Sequence, residues 1–198
     1  MSITAYDIEI CNAAFAKIGA RPITSFTDGT VESDAASALY EITFDELLAS
    51  HPWKFALKSA ELGIYDNPVP QITPTPLLEG DVVWALPNDY LRLVSVIDAL
   101  RKVAVNYKVV GDYIHTTSGS LHAYYIGTVS AQNLPSFFKA LLINKLAAEF
   151  CLPVTESSSR ADSLLKLFEK QFNKARTLDD RSDSPQRFDS FSLIDARG

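Results

Sequence analysis

The spacing of apolar residues changes twice along this chain, and those two changes limit what it can fold into. Up to Ser50 the apolar positions recur every three or four residues, from Trp53 they alternate, and after Asn133 the longer interval returns. A helix shows one face at an interval of about 3.6 residues and a strand at an interval of 2, so the order is helix, sheet, helix. The expected fold class is α+β: a mainly helical bundle of two N-terminal and two C-terminal helices, an inserted small antiparallel β-meander lobe and an extended C-terminal arm. The expected divisions are 1–52 for the first helices, 53–130 for the β lobe with a Pro-rich loop at 66–80, 131–178 for the last helices and 179–198 for the arm.

Ile8, Cys11, Phe15 and Ile18 form the first stripe, which predicts a helix from about Asp7 to Ile18. Thr4 is placed to cap it, with Asp7 completing a capping box and Ile3 stapling against Ile8. Gly19 and Pro22 end it. A second helix is expected over about Val31 to Ser50, with Ala35, Leu39, Ile42, Leu47 and Leu48 on its apolar face and His51-Pro52 as its stop. Glu32, Asp34, Glu41, Asp45 and Glu46 make that helix strongly acidic. After Asn133, Pro135 suits a first turn, and Phe138, Leu142, Leu146 and Phe150 share a face flanked by Leu141 and Ala148, until Pro153 breaks the run. A last helix opens at Thr155 to Ser158, carries Leu164, Leu165, Phe168, Phe172 and Ala175, and is expected to end near Arg176.

Between these pairs, Trp53 to Lys58 alternates like a half-buried strand. Tyr90 to Ile97, Val103 to Val109, Tyr113 to Thr116 and Leu121 to Ile126 follow, joined by turns at Gly111-Asp112 and Ser118-Gly119 that suit a meander. Pro68, Pro70, Pro74 and Pro76 favour an extended loop without ladder hydrogen bonds.

The chain has 198 residues, enough for one domain that buries roughly 70% of its unfolded surface. Its net charge of -6 argues against general nucleic-acid affinity, which needs cations to replace counterions, yet suits a wall that a duplex slides past. Arg92, Arg101, Lys102 and Lys108 cluster on the strands but are interrupted by acidic and apolar residues. No apolar run approaches the roughly 20 residues needed to span a bilayer, and the first residues lack the pattern of a signal peptide, so no membrane partner is expected. Cys11 and Cys151 sit in apolar helical patterns and are expected as buried thiols, although spacing alone leaves a disulfide between them open.

Catalytic patterns are sparse. There is no GxSxG, GxxxxGK or GxGxxG, and His51, His115 and His122 lack metal-ligand spacing. His115 and His122 lie on adjacent expected strands and are candidates to face one another across a hairpin. Glu41 and Asp45, one turn apart, are the pair that would serve acid/base work, although carboxylates on an exposed helix more commonly form a solvated face. Trp53 and Phe55 read as closing the core where helix meets sheet, with a contact between subunits as the alternative. No catalytic residue, metal or cofactor is therefore assigned.

Several stretches, taken in order, carry a resemblance to a known family. These are Asn12 to Gly19; Phe44 to Ala56, with its helix running into His51-Pro52-Trp53-Lys54-Phe55-Ala56; Leu86-Pro87-Asn88-Asp89-Tyr90; Tyr107 to Thr116 with Tyr124-Tyr125-Ile126; Leu134 to Phe138; and Leu146 to Phe150. Over about residues 8 to 172 the chain resembles the head–tail adaptors of short-tailed bacteriophages, the tail tubular protein A family. The resemblance implies a structural, non-enzymatic virion protein, made in the host cytoplasm. It implies a ring of about twelve copies between the portal protein and the tail nozzle, around a channel through which DNA passes without sequence-specific binding.

On that reading, Pro68, Pro70, Pro74 and Pro76 form an inter-subunit loop. Phe188, Phe191, Leu193 and Ile194 are residues a disordered tail usually lacks, so the tail either packs back on its own domain or docks on a partner. The adaptor reading makes them candidates to grip portal or a neighbour. Glu32, Asp34, Glu41 and Asp45 are candidates to line the lumen. The rival classes are a virion-associated cell-wall hydrolase, suggested by the paired carboxylates, and another tail-completion or terminator ring protein.

Overall fold

A computed structural model describes residues 3–65 and 82–180 of the chain. Four α-helices and six strands follow in the order α1 (Ala5–Ile18), α2 (Val31–Ala49), β1 (Leu57–Glu61), β2 (Val82–Ala85), β3 (Tyr90–Asp98), β4 (Lys108–Val110), β5 (Tyr113–Thr116), β6 (Leu121–Gly127), α3 (Ser136–Thr155) and α4 (Ser158–Asp180). The fold is α+β.

Helix α3 is the hub, with α1, α2 and α4 all packed against it. Its buried face carries Phe138, Leu141, Leu142, Leu146 and Phe150, as the spacing predicts. Phe150 stacks on Phe15 of α1 at 4.7 Å between ring centroids, and Phe138 meets Phe44 of α2 at 6.3 Å. Pro153 does not break α3, which continues to Thr155. α4 also outruns its expected end near Arg176 and takes in Asp179 and Asp180, the first two residues assigned to the arm.

The capping box of α1 forms: the Thr4 amide donates to Asp7 Oδ2 at 2.6 Å. Ile3 stays 55% exposed, so a staple against Ile8 buries little. On α2 the expected apolar face is displaced. Ile42 is 69% exposed, and Ala36, Tyr40 and Phe44 point inward with Ala35, Leu47 and Leu48. The aromatic residues, with more surface to bury than Ile42, set the rotation of the helix.

The strands depart further from expectation. Residues Lys54–Ala56 form a single 3-10 turn, and the strand begins only at Leu57. A strand through Trp53 to Lys58 would point Phe55 and Ala56 to opposite faces, whereas the turn brings Trp53, Phe55 and Ala56 all against the helical core. The run Val103 to Val109 is not a continuous strand: it holds one bridge, Ala104 to Ile97, and the start of the three-residue β4. Val103 and Val109 are exposed there, because alternation gives a period but no partner strand. Nor is the lobe a single meander. Two three-stranded antiparallel sheets form, in the orders β1-β6-β3 and β2-β5-β4, and the chain crosses between them. Each sheet carries a share of a small second core of Leu62, Trp84, Leu86, Val96, Ile114, Leu121 and Ala123.

Candidate functional site

Charged and polar side chains gather at several places among the described residues. The first is the acidic face of α2. At about 100° per residue, Asp34, Glu41 and Asp45 fall within about 40° of one another, whereas Glu32 lies on the far side of the helix. Glu32 instead accepts a hydrogen bond from the Arg21 amide at 3.3 Å. Asp34 and Glu41 are exposed and Asp45 is half-buried. Burial, reinforced by Glu41 one turn away, raises the Asp45 carboxyl above its usual value, and its Oδ1 has no hydrogen-bond partner. The sequence thus named four candidate carboxylates, and the helix brings three of them into one stripe.

The second place is the junction of α2, the 3-10 turn and the end of α4. Trp53 is wholly buried, donates its indole N–H to the Leu47 carbonyl at 2.9 Å, and touches Phe55, Phe137, Phe138 and Phe172. Beside it, His51 Nε2 lies 3.8 Å from both Asp179 Oδ2 and Asp180 Oδ1. Asp179 is buried and accepts from the Lys54 amide at 3.1 Å, while Lys54 Nζ donates to the Asp180 carbonyl at 2.8 Å. Arg92 reaches the Ala49 carbonyl at 3.1 Å from β3. Burial lowers the His51 pKa from 6.5, Arg176 and Arg92 push the same way, and the two aspartates oppose without reversing it. This cluster escaped sequence reading because Lys54 and Asp179 stand 125 positions apart.

Polar residues also fasten the helices to one another. Asp7 accepts from Tyr40 Oη at 2.5 Å, and burial together with that carboxylate drives the phenol pKa well up. Asn144 on α3 bridges Lys17 of α1 and Gln171 of α4. Within the strand lobe, Asp89 forms an ion pair with Lys58 at 2.6 Å and accepts from Tyr125 at 3.1 Å. Its partial burial favours the neutral acid, but those two partners win and its pKa falls. Gly127 lies beneath this pair, where a Cβ would come within 2.8 Å of the Lys58 side chain.

His115 and His122 do not face one another. His115 on β5 pairs with Val83 and Lys108, and His122 on β6 pairs with Glu61 and Ile97 in the other sheet. Cys11 and Cys151 are buried free thiols, and burial with nearby Asp7 raises Cys11 far above the ordinary thiol value. Among the described residues, no cluster of three or more His, Cys, Asp or Glu is arranged to hold a metal, and no helix is long and apolar enough to cross a membrane. Phe188, Phe191, Leu193, Ile194, Pro68, Pro70, Pro74 and Pro76 lie outside the described residues. No protein-family model and no curated protein matches the chain.

Proposed function

We propose that this chain is a structural head-to-tail adaptor subunit of a short-tailed phage, acting in the virion as a ring between portal and tail nozzle. The observation that carries the reading is the ordered run of segments from Asn12 to Phe150 that resembles the adaptor family. The roles of those segments in the fold support it. Phe15 and Phe150 join two of them by stacking, Trp53 ties the helix-to-sheet junction to α3 and α4, and Asp89 clamps β1 and β6. The residues that carry the likeness thus build a rigid body, which a ring subunit needs when its lateral faces and extensions do the gripping.

In this reading about twelve copies surround the channel, the arm at Phe188 to Ile194 orders against portal or a neighbour, and the stripe of Asp34, Glu41 and Asp45 repels passing phosphates. Glu32, bound to the neighbouring loop, contributes less. Electron microscopy of the chain mixed with portal should show rings at the portal's tail-facing end. Deleting Ser184 to Gly198 should leave the subunit folded and weaken its attachment to heads. Unchanged attachment would remove the arm's role, and a ring whose carboxylates all face outward would remove the lumen assignment. Clearing of a cell-wall zymogram by the purified chain would favour the hydrolase instead.

A further inference from the structure

α4 leaves Leu165, Leu167 and Leu178 exposed. A groove of about 230 Å³ runs between α3 and α4, floored by buried Leu141 and Ala175 and walled by Phe137, Ala140, Lys174 and Leu178. Gln171, at the same groove, already holds Asn144. The volume falls below the roughly 300–1,000 Å³ of small-molecule sites, and the lining offers few polar groups to orient a ligand. It suits an apolar side-chain anchor on a peptide.

Eighteen residues follow Asp180, and the groove closes at Leu178, one half-turn before α4 ends. Within that stretch Phe188-Asp189-Ser190-Phe191-Ser192-Leu193-Ile194-Asp195 holds four large apolar residues, two carboxylates and no cation. The charged group lining the groove is Lys174, so the charges complement. Reach is also sufficient. The far end of the groove, at Gln171, lies about 14 Å along α4 from Asp180 at 1.5 Å per residue. Seven residues, Arg181 to Arg187, span up to about 25 Å when extended, and Pro185 among them discourages continued helix.

We propose that the chain's own segment Phe188 to Asp195 covers this groove in the free subunit, with an aromatic ring against Leu141 and Ala175 and an aspartate near Lys174. The tether raises the local concentration of the segment far above that of any second copy. Ordering its backbone offsets much of the burial gain, so the cover is reversible and a partner with a better surface can take the segment away. This holds whether or not the chain is an adaptor.

The test uses full-length protein and a labelled synthetic peptide of residues 185–198. The peptide should bind the full-length double variant Phe188→Ser/Phe191→Ser at least about tenfold more tightly than the natural chain, whose groove is filled. Adding Leu178→Asp to the double variant should abolish that binding, and Lys174→Glu should weaken it in a salt-dependent way. Leu178 is 44% exposed, so its substitution is compatible with folding, which circular dichroism checks. In the natural chain, amides of 171–178 should exchange about tenfold more slowly than in the double variant. No peptide binding, or equal binding with Leu178→Asp present, overturns the proposal. So does a natural chain that dimerises reversibly through a contact Leu178→Asp disrupts, since the occupant would then be a second copy.

Discussion

The helical body and the strand lobe spend their apolar residues differently. The body buries Phe15, Phe44, Trp53, Phe138 and Phe150 completely, and its inward polar groups Asp7, Asn144 and Asp179 all have partners. The lobe has a seven-residue core in which Trp84 Nε1 finds no partner, and both ring nitrogens of the neighbouring buried His115 are also unpaired. Val94, Leu100, Val103, Val109 and Val110 lie exposed on it. A buried polar atom without a partner gives back part of what apolar burial gains. The comparison therefore teaches that the body stabilises the molecule, whereas the lobe is attached to it through Ile126, Leu91 and the Arg92 bond to the Ala49 carbonyl and adds less of its own.

The largest effect should come from Phe138→Ala, which empties the contact with Phe44, Trp53 and Phe55 and should cost about 3–5 kcal/mol in denaturant melts. Ile114→Ala in the lobe should cost less, about 2–3 kcal/mol, and should accelerate amide exchange in β2, β4 and β5 before it affects α3. If exchange rises equally in α3, the two regions unfold as one unit and the contrast fails. Tyr40→Phe removes one donor from Asp7 and should cost about 1.5–3 kcal/mol, less if the two Thr4 bonds hold the carboxylate alone.

How much of this was legible follows the same division. Helices α1 and α3 could be read because their stripes are long and their large residues point the same way. α2 was rotated by Tyr40 and Phe44, which a tally of aliphatic positions passes over. In the lobe, alternation identified Tyr113 to Thr116 and Leu121 to Ile126 as strands but not the sheet each joins, since pairing is set by contacts far apart in sequence. Val82 to Ala85 was missed because a continuous apolar run has no period. Of the candidate site residues, Asp34, Glu41 and Asp45 were legible as a helical face. The group of His51, Asp179 and Asp180 was not, because no local pattern announces a contact between α2 and the end of α4.

That junction has a pH signature. The His51 pKa is lowered in the folded chain, so the unfolded chain binds the proton more readily and stability rises with pH. The contribution is complete above the unfolded value of 6.5 and is lost as pH falls through the lower folded one. Melts taken from about pH 7.5 down to about pH 5 should show a falling midpoint, with a shallower fall in His51→Gln. An identical slope in that variant would assign the change to other groups.

The smallest effect concerns the one place where the body behaves like the lobe. Asp45 keeps a buried carboxylate oxygen without a hydrogen bond, next to Glu41, and its pKa is raised from 3.8. Between that value and the raised folded one the native chain holds the proton longer than the unfolded chain does, so stability falls as pH rises through the interval. Above it the penalty is complete. Asp45→Asn, similar in shape and uncharged, should therefore stabilise the subunit at neutral pH by less than about 1 kcal/mol, and the gain should vanish below the unfolded value. A destabilised variant would mean that the carboxylate is held by a partner and belongs to the fold. A stabilised one would mark the charge as something the body does not need for folding, and would direct attention to what the stripe of Asp34, Glu41 and Asp45 faces outside it.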